Sequence, residues 1–219
     1  MDVGILGGTG PAGQAMAARL AACGFDVVIG SRSADRAATA CEDIRARWPG
    51  RNLSLAGAEN PGAAGCGRVI VATPWDAAAA TAGSVADHLE GKVVISMANG
   101  LAKVDGELLP VAPPEGSVAL AVQKAVPGAL VTAAFHHLPA KAVADLASPV
   151  TGDVVVCGDD TEAVEATVEI VERIPDLRAI HAGGLSLAGT VEDFTAVLLA
   201  VNRRHKARST ITFAGLRGR

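Results

Sequence analysis

The chain has 219 residues, half of them apolar, 19% charged and 3% aromatic, with a formal net charge of −4 at pH 7. That length suits one domain, and so much apolar surface excludes a disordered chain, which could not offset its ordering entropy. The weak negative charge and the scarcity of aromatics (two Trp, four Phe, no Tyr) exclude nucleic acid as the expected partner, since neither a basic surface nor a stacking platform is on offer.

In chain order, Asp2–Leu6 reads as a strand, followed by a glycine-rich loop and a helix over Gly13–Cys23. A strand at Asp26–Gly30 and a helix at Ala34–Trp48 come next, then a strand at Val69–Thr73 and a helix at Asp76–Leu89. Lys92–Ser96 is a further strand. Gly100–Ser117, with Pro110, Pro113 and Pro114, breaks the rhythm and reads as a long connection or a lid. Strands are expected at Leu130–His136, Val154–Gly158 and Arg178–His181, with a helix at Thr161–Arg173. Leu187, Val191, Phe194, Val197, Leu198 and Val201 recur at helical spacing, and Thr190 with Asp193 would cap that last helix. Its apolar face either meets a second copy of the chain or covers the sheet. Strands alternating with helices imply parallel β-α-β units, and right-handed crossovers lead to a doubly wound sheet.

No apolar run reaches the length of a membrane span, and no signal peptide fits, because Val3–Leu6 already reads as a strand. Cys23, Cys41, Cys66 and Cys157 form no C-x-x-C pair and lie near no His at metal spacing. They read as small buried hydrophobes in a reducing, cytoplasmic setting.

The first loop, Gly7-Gly8-Thr9-Gly10-Pro11-Ala12-Gly13, contains G-x-G-x-x-G at Gly8, Gly10 and Gly13. It sits between a strand and a helix, the context in which the pattern binds a dinucleotide. Gly8 permits the turn, Gly10 lets backbone approach a pyrophosphate, and Gly13 lets the helix pack closely. Pro11 opens the helix without losing a needed donor, and the helix start offers N–H groups and partial positive charge. The next strand ends at Ser31-Arg32-Ser33, where an NAD site would place an acidic residue. A hydroxyl with Arg32 and Arg36 suits a 2′-phosphate through charge-assisted bonds, so NADP(H) is preferred over NAD(H).

In such a sheet, ligands lie beyond the carboxyl ends of the strands. Thr73-Pro74-Trp75 ends one strand, and Trp75 either walls the pocket or packs helix on sheet. Met97-Ala98-Asn99 ends another, leaving room for a planar ring. His136 and His137 would point to opposite faces of a strand, so no metal is expected; one of them, His136 before His137, either lines the pocket or is a core or surface histidine. No Tyr-x-x-x-Lys pair exists and no proton donor can be placed. Hydride transfer between two ring cofactors needs none as strong as carbonyl reduction does. Arg203, Arg204, His205, Lys206 and Arg208, with Arg217 and Arg219 beyond, either complement a helix C-terminus or anchor an acidic tail.

With these residues in view, the whole chain resembles the coenzyme F420-dependent NADP reductases. The resemblance lies in Gly7-Gly8-Thr9-Gly10, Gly30-Ser31-Arg32, Pro74-Trp75, His136 with Leu138-Pro139-Ala140, Val156-Cys157-Gly158-Asp159-Asp160, and Leu177-Arg178 followed by Ala182-Gly183, in that order. It implies reversible hydride transfer between NADP(H) and the deazaflavin F420, with a Rossmann-type core (residues 1–140) and a C-terminal α/β and helical extension (141–219) forming one NADP-binding domain, commonly as a homodimer. It also implies that Thr9, Ser31, Arg32 and Arg36 hold the 2′-phosphate and that Pro11 and Ala12 meet the pyrophosphate. Thr73 and Pro74 would flank the cofactor. His136 to Ala140 would lie by the nicotinamide, with His136 and Pro139 positioning rather than catalysing. The deazaflavin would stack near Met97–Asn99 and the C-terminus of a chain. The competing expectations are an NADP-dependent reductase of a small imine or keto acid, and a non-enzymatic NADP(H)-binding sensor.

Overall fold

A computed structural model describes residues 1–216. In chain order it contains β1 (Asp2–Leu6), α1 (Pro11–Ala22), β2 (Asp26–Ser31), α2 (Ala34–Arg47), β3 (Leu55–Glu59), α3 (Asn60–Ala64), β4 (Arg68–Val71), α4 (Trp75–Gly83) and β5 (Val93–Ser96). Then follow β6 (Leu101–Val104), β7 (Glu107–Pro110), α5 (Val118–Ala125), β8 (Leu130–Ala133), α6 (Ala140–Val143), β9 (Gly152–Gly158), α7 (Thr161–Glu172), β10 (Leu177–Gly183) and α8 (Ala188–His205).

The main sheet runs β10-β9-β8-β5-β4-β1-β2-β3 and is parallel throughout except at the β8–β9 pair. The expected doubly wound, mostly parallel α/β fold is the one found. From β1 the chain winds outward through β2 and β3, then returns to β4 on the other side of β1. That reversal opens a crevice at the carboxyl ends of β1 and β4, where such sheets take their ligands. Two apolar layers sandwich the sheet. One includes Met16, Leu20, Phe25, Ile44 and Ile170, and the other Leu89, Val94, Val118, Val122 and Leu185.

Several elements differ from expectation. The Val69–Thr73 strand stops at Val71, and the Leu130–His136 strand stops at Ala133, so the histidines lie in a turn. The helix expected to Leu89 ends at Gly83 because the Ser84 hydroxyl donates back to the Thr81 carbonyl at 2.7 Å, competing with the helix ladder. Gly100–Ser117, expected as a long connection or a lid, carries a hairpin: Asp105 and Gly106 both have positive φ (48° and 84°), the two-residue turn that matches strand twist. Pro110 is tolerated there because β7 is an edge strand. The Thr190/Asp193 cap is not formed. The α8 helix starts earlier, with Leu187 at the cap position and no side-chain cap bond. The stretch Leu185–His205 is long and apolar enough to cross a membrane by length and composition, against expectation. In the fold it packs on α5 and β7 and buries Glu192, whose carboxylate accepts from Val118 N (2.8 Å) and Ala119 N (3.1 Å).

Candidate active site

The crevice begins at the glycine loop. Gly7 has φ +64°, and the Gly8 N–H donates to the Gly30 carbonyl at 2.9 Å, locking the turn onto β2. A Cβ on Gly13 would lie 2.6 Å from the Gly8 Cα, so α1 seats against the loop only because Gly13 lacks a side chain. The start of α1 has no side-chain cap and no acidic residue in its first turn. Its orphan N–H groups and dipole are left for an anion.

On one side of this helix start lies a cleft of about 370 Å³ lined by Gly7, Thr9, Gly10, Ser31, Arg32, Arg36, Asn60, Thr73 and Pro74, among others. Ser31 is the last residue of β2. The Ser33 hydroxyl caps α2 by accepting from Arg36 N, which starts that helix beside the cleft. Arg32 and Arg36 are exposed, and neither forms an ion pair among the described residues. The Thr73 hydroxyl is buried with no hydrogen-bond partner among those residues. Asn60, which sequence reading missed, accepts from Gly7 N at 3.3 Å and braces the loop across 53 residues of chain. Trp75 opens α4, is half-buried and packs against the second apolar layer, and Ala98 is buried in that same layer.

On the other side of the helix start is a cavity of about 190 Å³ lined by Ala12, Met16, Met97, Asn99, Phe135, His136, Pro139, Ala140, Thr195 and Leu199, among others. Its wall is the turn after β8. Phe135 is buried with φ +65°, a strained conformation for a bulky residue, and such strain clusters at functional sites. The Asn99 side-chain amide donates to the His136 carbonyl at 2.8 Å, and the Thr195 hydroxyl donates to Asn99 Oδ1 at 3.1 Å. Two distant segments thus hold the turn.

The two histidines are not split across a strand: both are buried, with ring centroids 5.6 Å apart, edge to face. His137 Nε2 accepts from Val155 N at 3.0 Å, which puts its proton on Nδ1. His136 is 4% exposed, and neither ring nitrogen has a partner among the described residues. Burial above all, and then the neighbouring His137, push the His136 pKa down to about 3; burial does the same to His137, down to about 4. Both rings are therefore neutral near pH 7. A neutral imidazole carries one donor and one acceptor, and in His136 both ring nitrogens are buried within the wall, so that capacity is unused there. No group of three potential metal ligands occurs among the described residues.

The basic C-terminal cluster is partly committed. Arg203 meets the Gly106 carbonyl and lies 3.9 Å from Glu107, and Arg208 lies 3.6 Å from Asp145. Arg203, Arg204 and His205 sit in the last turn of α8, at the negative end of its dipole. Arg217 and Arg219 lie outside the described residues.

Comparison with known proteins places this crevice in context. Residues 2–100 match the family model described as NADP oxidoreductase, coenzyme F420-dependent. The chain is 33% identical over 217 residues to the F420-dependent NADP reductase of Methanocaldococcus jannaschii, covering 96% of both chains. It is 34% identical over 227 residues to the enzyme of that name from Methanothermobacter thermautotrophicus, covering 99% of this chain and 94% of the relative. A crystal structure of a protein from Arthrobacter sp. FB24 shares the fold at TM-score 0.78 and 22% identity, covering 98% of this chain and 99% of that one.

Proposed function

The chain belongs to the family of coenzyme F420-dependent NADP reductases, and from that premise we propose that its crevice aligns NADP(H) with F420 for hydride exchange. The activity is that of an oxidoreductase using NADP(H) and the deazaflavin as its two substrates. The observation that carries the site assignment is the order of features along the crevice. The unpaired Arg32 and Arg36 stand at one end, the uncapped start of α1 in the middle, and the buried, unpartnered His136 at the other.

In this reading Ser31, Arg32 and Arg36, with Thr9, hold the 2′-phosphate. Charge-assisted bonds there favour NADP(H) over NAD(H). The backbone around Gly10, Pro11 and Ala12 faces the pyrophosphate, braced by Gly8. Thr73 and Pro74 flank the adenosine side. His136, Pro139 and Ala140 hold the nicotinamide end, and Met97 and Asn99 border the position of the deazaflavin ring. When bound, the two cofactors supply the hydride donor and acceptor themselves. The protein's part is to orient the rings, exclude water and keep the wall neutral, so that no charge develops on His136 beside the transferring hydride. No residue of this chain has to transfer a proton at full strength.

Four further assignments are part of the proposal. The exposed stripe of α8, with Leu187, Phe194, Val197 and Val201, favours a homodimer over the alternative of covering the sheet. Cysteines that are all unpaired among the described residues suit a reducing, cytoplasmic setting. The net charge of −4 speaks against nucleic acid as a partner. The buried Glu192 carboxylate in α8 speaks against a membrane-spanning role for that helix.

The test is a steady-state assay of purified protein with oxidised F420, following loss of its visible band. NADPH is expected to bleach the band and NADH to leave it. Bleaching with neither, while NADPH still binds by fluorescence, would overturn the activity.

A further inference from the structure

Arg19 lies two turns into α1, is 8% exposed, and has no carboxylate in salt-bridge range among the described residues. A charged residue buried in this way is expected to be fully hydrogen-bonded. Its partners are all backbone carbonyls of one short segment: Nε donates to Val143 O at 3.0 Å, and Nη2 reaches Asp145 O at 2.6 Å, Ala142 O at 3.1 Å and Ser148 O at 3.2 Å. Nη2 has two hydrogens for three carbonyls, so one is shared. Ala142 and Val143 are the last residues of α6, a helix of four residues that could not persist on its own propensity. Arg19 therefore satisfies the orphan Val143 carbonyl at the end of α6, adds a second donor to the Ala142 and Asp145 carbonyls, which already accept backbone N–H groups, and sets a cation at the negative end of the helix dipole. Arg51 supports the same segment from another side through Leu146 O at 2.6 Å.

What α6 carries at its other end matters for the site. Pro139 and Ala140, its cap and first residue, line the cavity beside His136. The α1 helix bearing Arg19 begins at the glycine loop. Arg19 stands seven residues after Ala12, about 10 Å down a rigid helix axis. One side chain thus fixes the wall of one half of the crevice relative to the helix start that builds the middle.

We propose that Arg19 is a positioning residue for the nicotinamide half of the site, holding the His136–Ala140 wall at a set distance from the pyrophosphate cradle. This rests on the reading that NADP(H) lies along the crevice. It separates two halves of one ligand: the adenosine 2′-phosphate side, which Arg19 does not touch, and the nicotinamide side, which it positions through α6.

The test compares two ligands on one variant. Arg19→Met keeps the length of the side chain and deletes its donors. Its Kd for NADPH is expected to rise about tenfold and its turnover with F420 to fall about a hundredfold, as for a wall displaced by roughly 1 Å. Its Kd for 2′-phospho-ADP-ribose, which lacks the nicotinamide, is expected to stay within about twofold. Arg19→Lys restores the charge and one donor and should recover part of both losses. If Arg19→Met does not fold, Arg19→Lys carries the test, with a split of about threefold between the two ligands. Equal weakening of both ligands, or no change in either for a folded variant, would overturn the proposal. The F420 reading fails separately. Wild-type protein that binds both ligands but leaves F420 unreduced would sink that reading while the split in affinity could still be measured.

Discussion

On the proposed function, the two ends of the crevice solve the same task, holding one half of a dinucleotide, by opposite physical means. The adenosine end is open and cationic. Ser31, Arg32 and Arg36 are near neighbours in sequence, placed by one strand end and one helix start, and the two guanidiniums are solvated. The nicotinamide end is closed and neutral. Its wall is a turn with Phe135 at φ +65° and two buried uncharged histidines, held by Asn99, Thr195 and Arg19 from distant parts of the chain. Charge recognition works in water and needs little scaffolding, because a phosphate and a guanidinium attract in many geometries. Alignment of two rings tolerates little displacement, so that end is built where the chain can be over-determined.

The comparison breaks most severely at the junction of the two ends. Gly13→Ala places a methyl 2.6 Å from the Gly8 backbone, so α1 must lift from the loop. NADPH affinity is expected to fall about 100-fold by fluorescence titration, since a displacement of about 1 Å has that order of effect. An affinity within twofold of wild type would contradict the tight seat of α1. At the open end, Arg32→Ala removes charge-assisted bonds worth roughly 1.5–3 kcal/mol, raising the NADPH Kd about 10–100-fold while leaving that of NADH almost unchanged. Equal losses for both cofactors would remove the 2′-phosphate from this cleft.

At the closed end, pH is the lever. Folded His136 and His137 titrate near 3 and 4, against 6.5 for a free histidine. Between those values the unfolded chain binds protons that the folded chain does not, so stability falls as pH drops below about 6.5, by about 1.4 kcal/mol per pH unit for each ring. Buried Glu192, its pKa raised by desolvation, works in the opposite sense just above the ordinary carboxylate range. His136→Gln isolates the ring: urea unfolding between pH 6 and 5 should lose about half of the histidine slope. An unchanged slope would mean that His136 is not neutral in the fold. The smallest effect belongs to the latch. Asn99→Ala frees the His136 carbonyl and the Thr195 hydroxyl, and turnover is expected to drop about 3–10-fold with NADPH affinity little changed, from hydrogen bonds worth roughly 1 kcal/mol each. A loss of NADPH affinity larger than the loss of turnover would place Asn99 against NADP(H) rather than at the border of the deazaflavin ring.

The same contrast decides what was legible in the sequence. The glycine loop, Ser31, Arg32 and the Ser33 cap are contiguous, and their pattern carries its own mechanism, so the open end could be read directly. The closed end could not. Asn99 meets Thr195 across 96 residues and Arg19 meets α6 across more than a hundred, and no local pattern announces either. The turn that carries the histidine pair is not legible, because the run Leu130–Ala134 hides where β8 stops and the positive φ of Phe135 has no sequence signal. The hairpin was legible in principle: Asp105-Gly106 is a strong turn pair, masked by Pro110, Pro113 and Pro114 just beyond it. Trp75 and Ala98 follow strand ends and pack with the apolar layer, a choice of face that the strand end alone does not determine.

The measurement that bears most directly on the account is a single-turnover experiment in which protein saturated with NADPH is mixed with oxidised F420 and both absorbance bands are followed together. Loss of the two bands at one rate and in equal molar amounts is the predicted result, since one hydride leaves one cofactor for the other. Loss of the NADPH band without loss of the F420 band, or no change in either while both ligands remain bound, would contradict it.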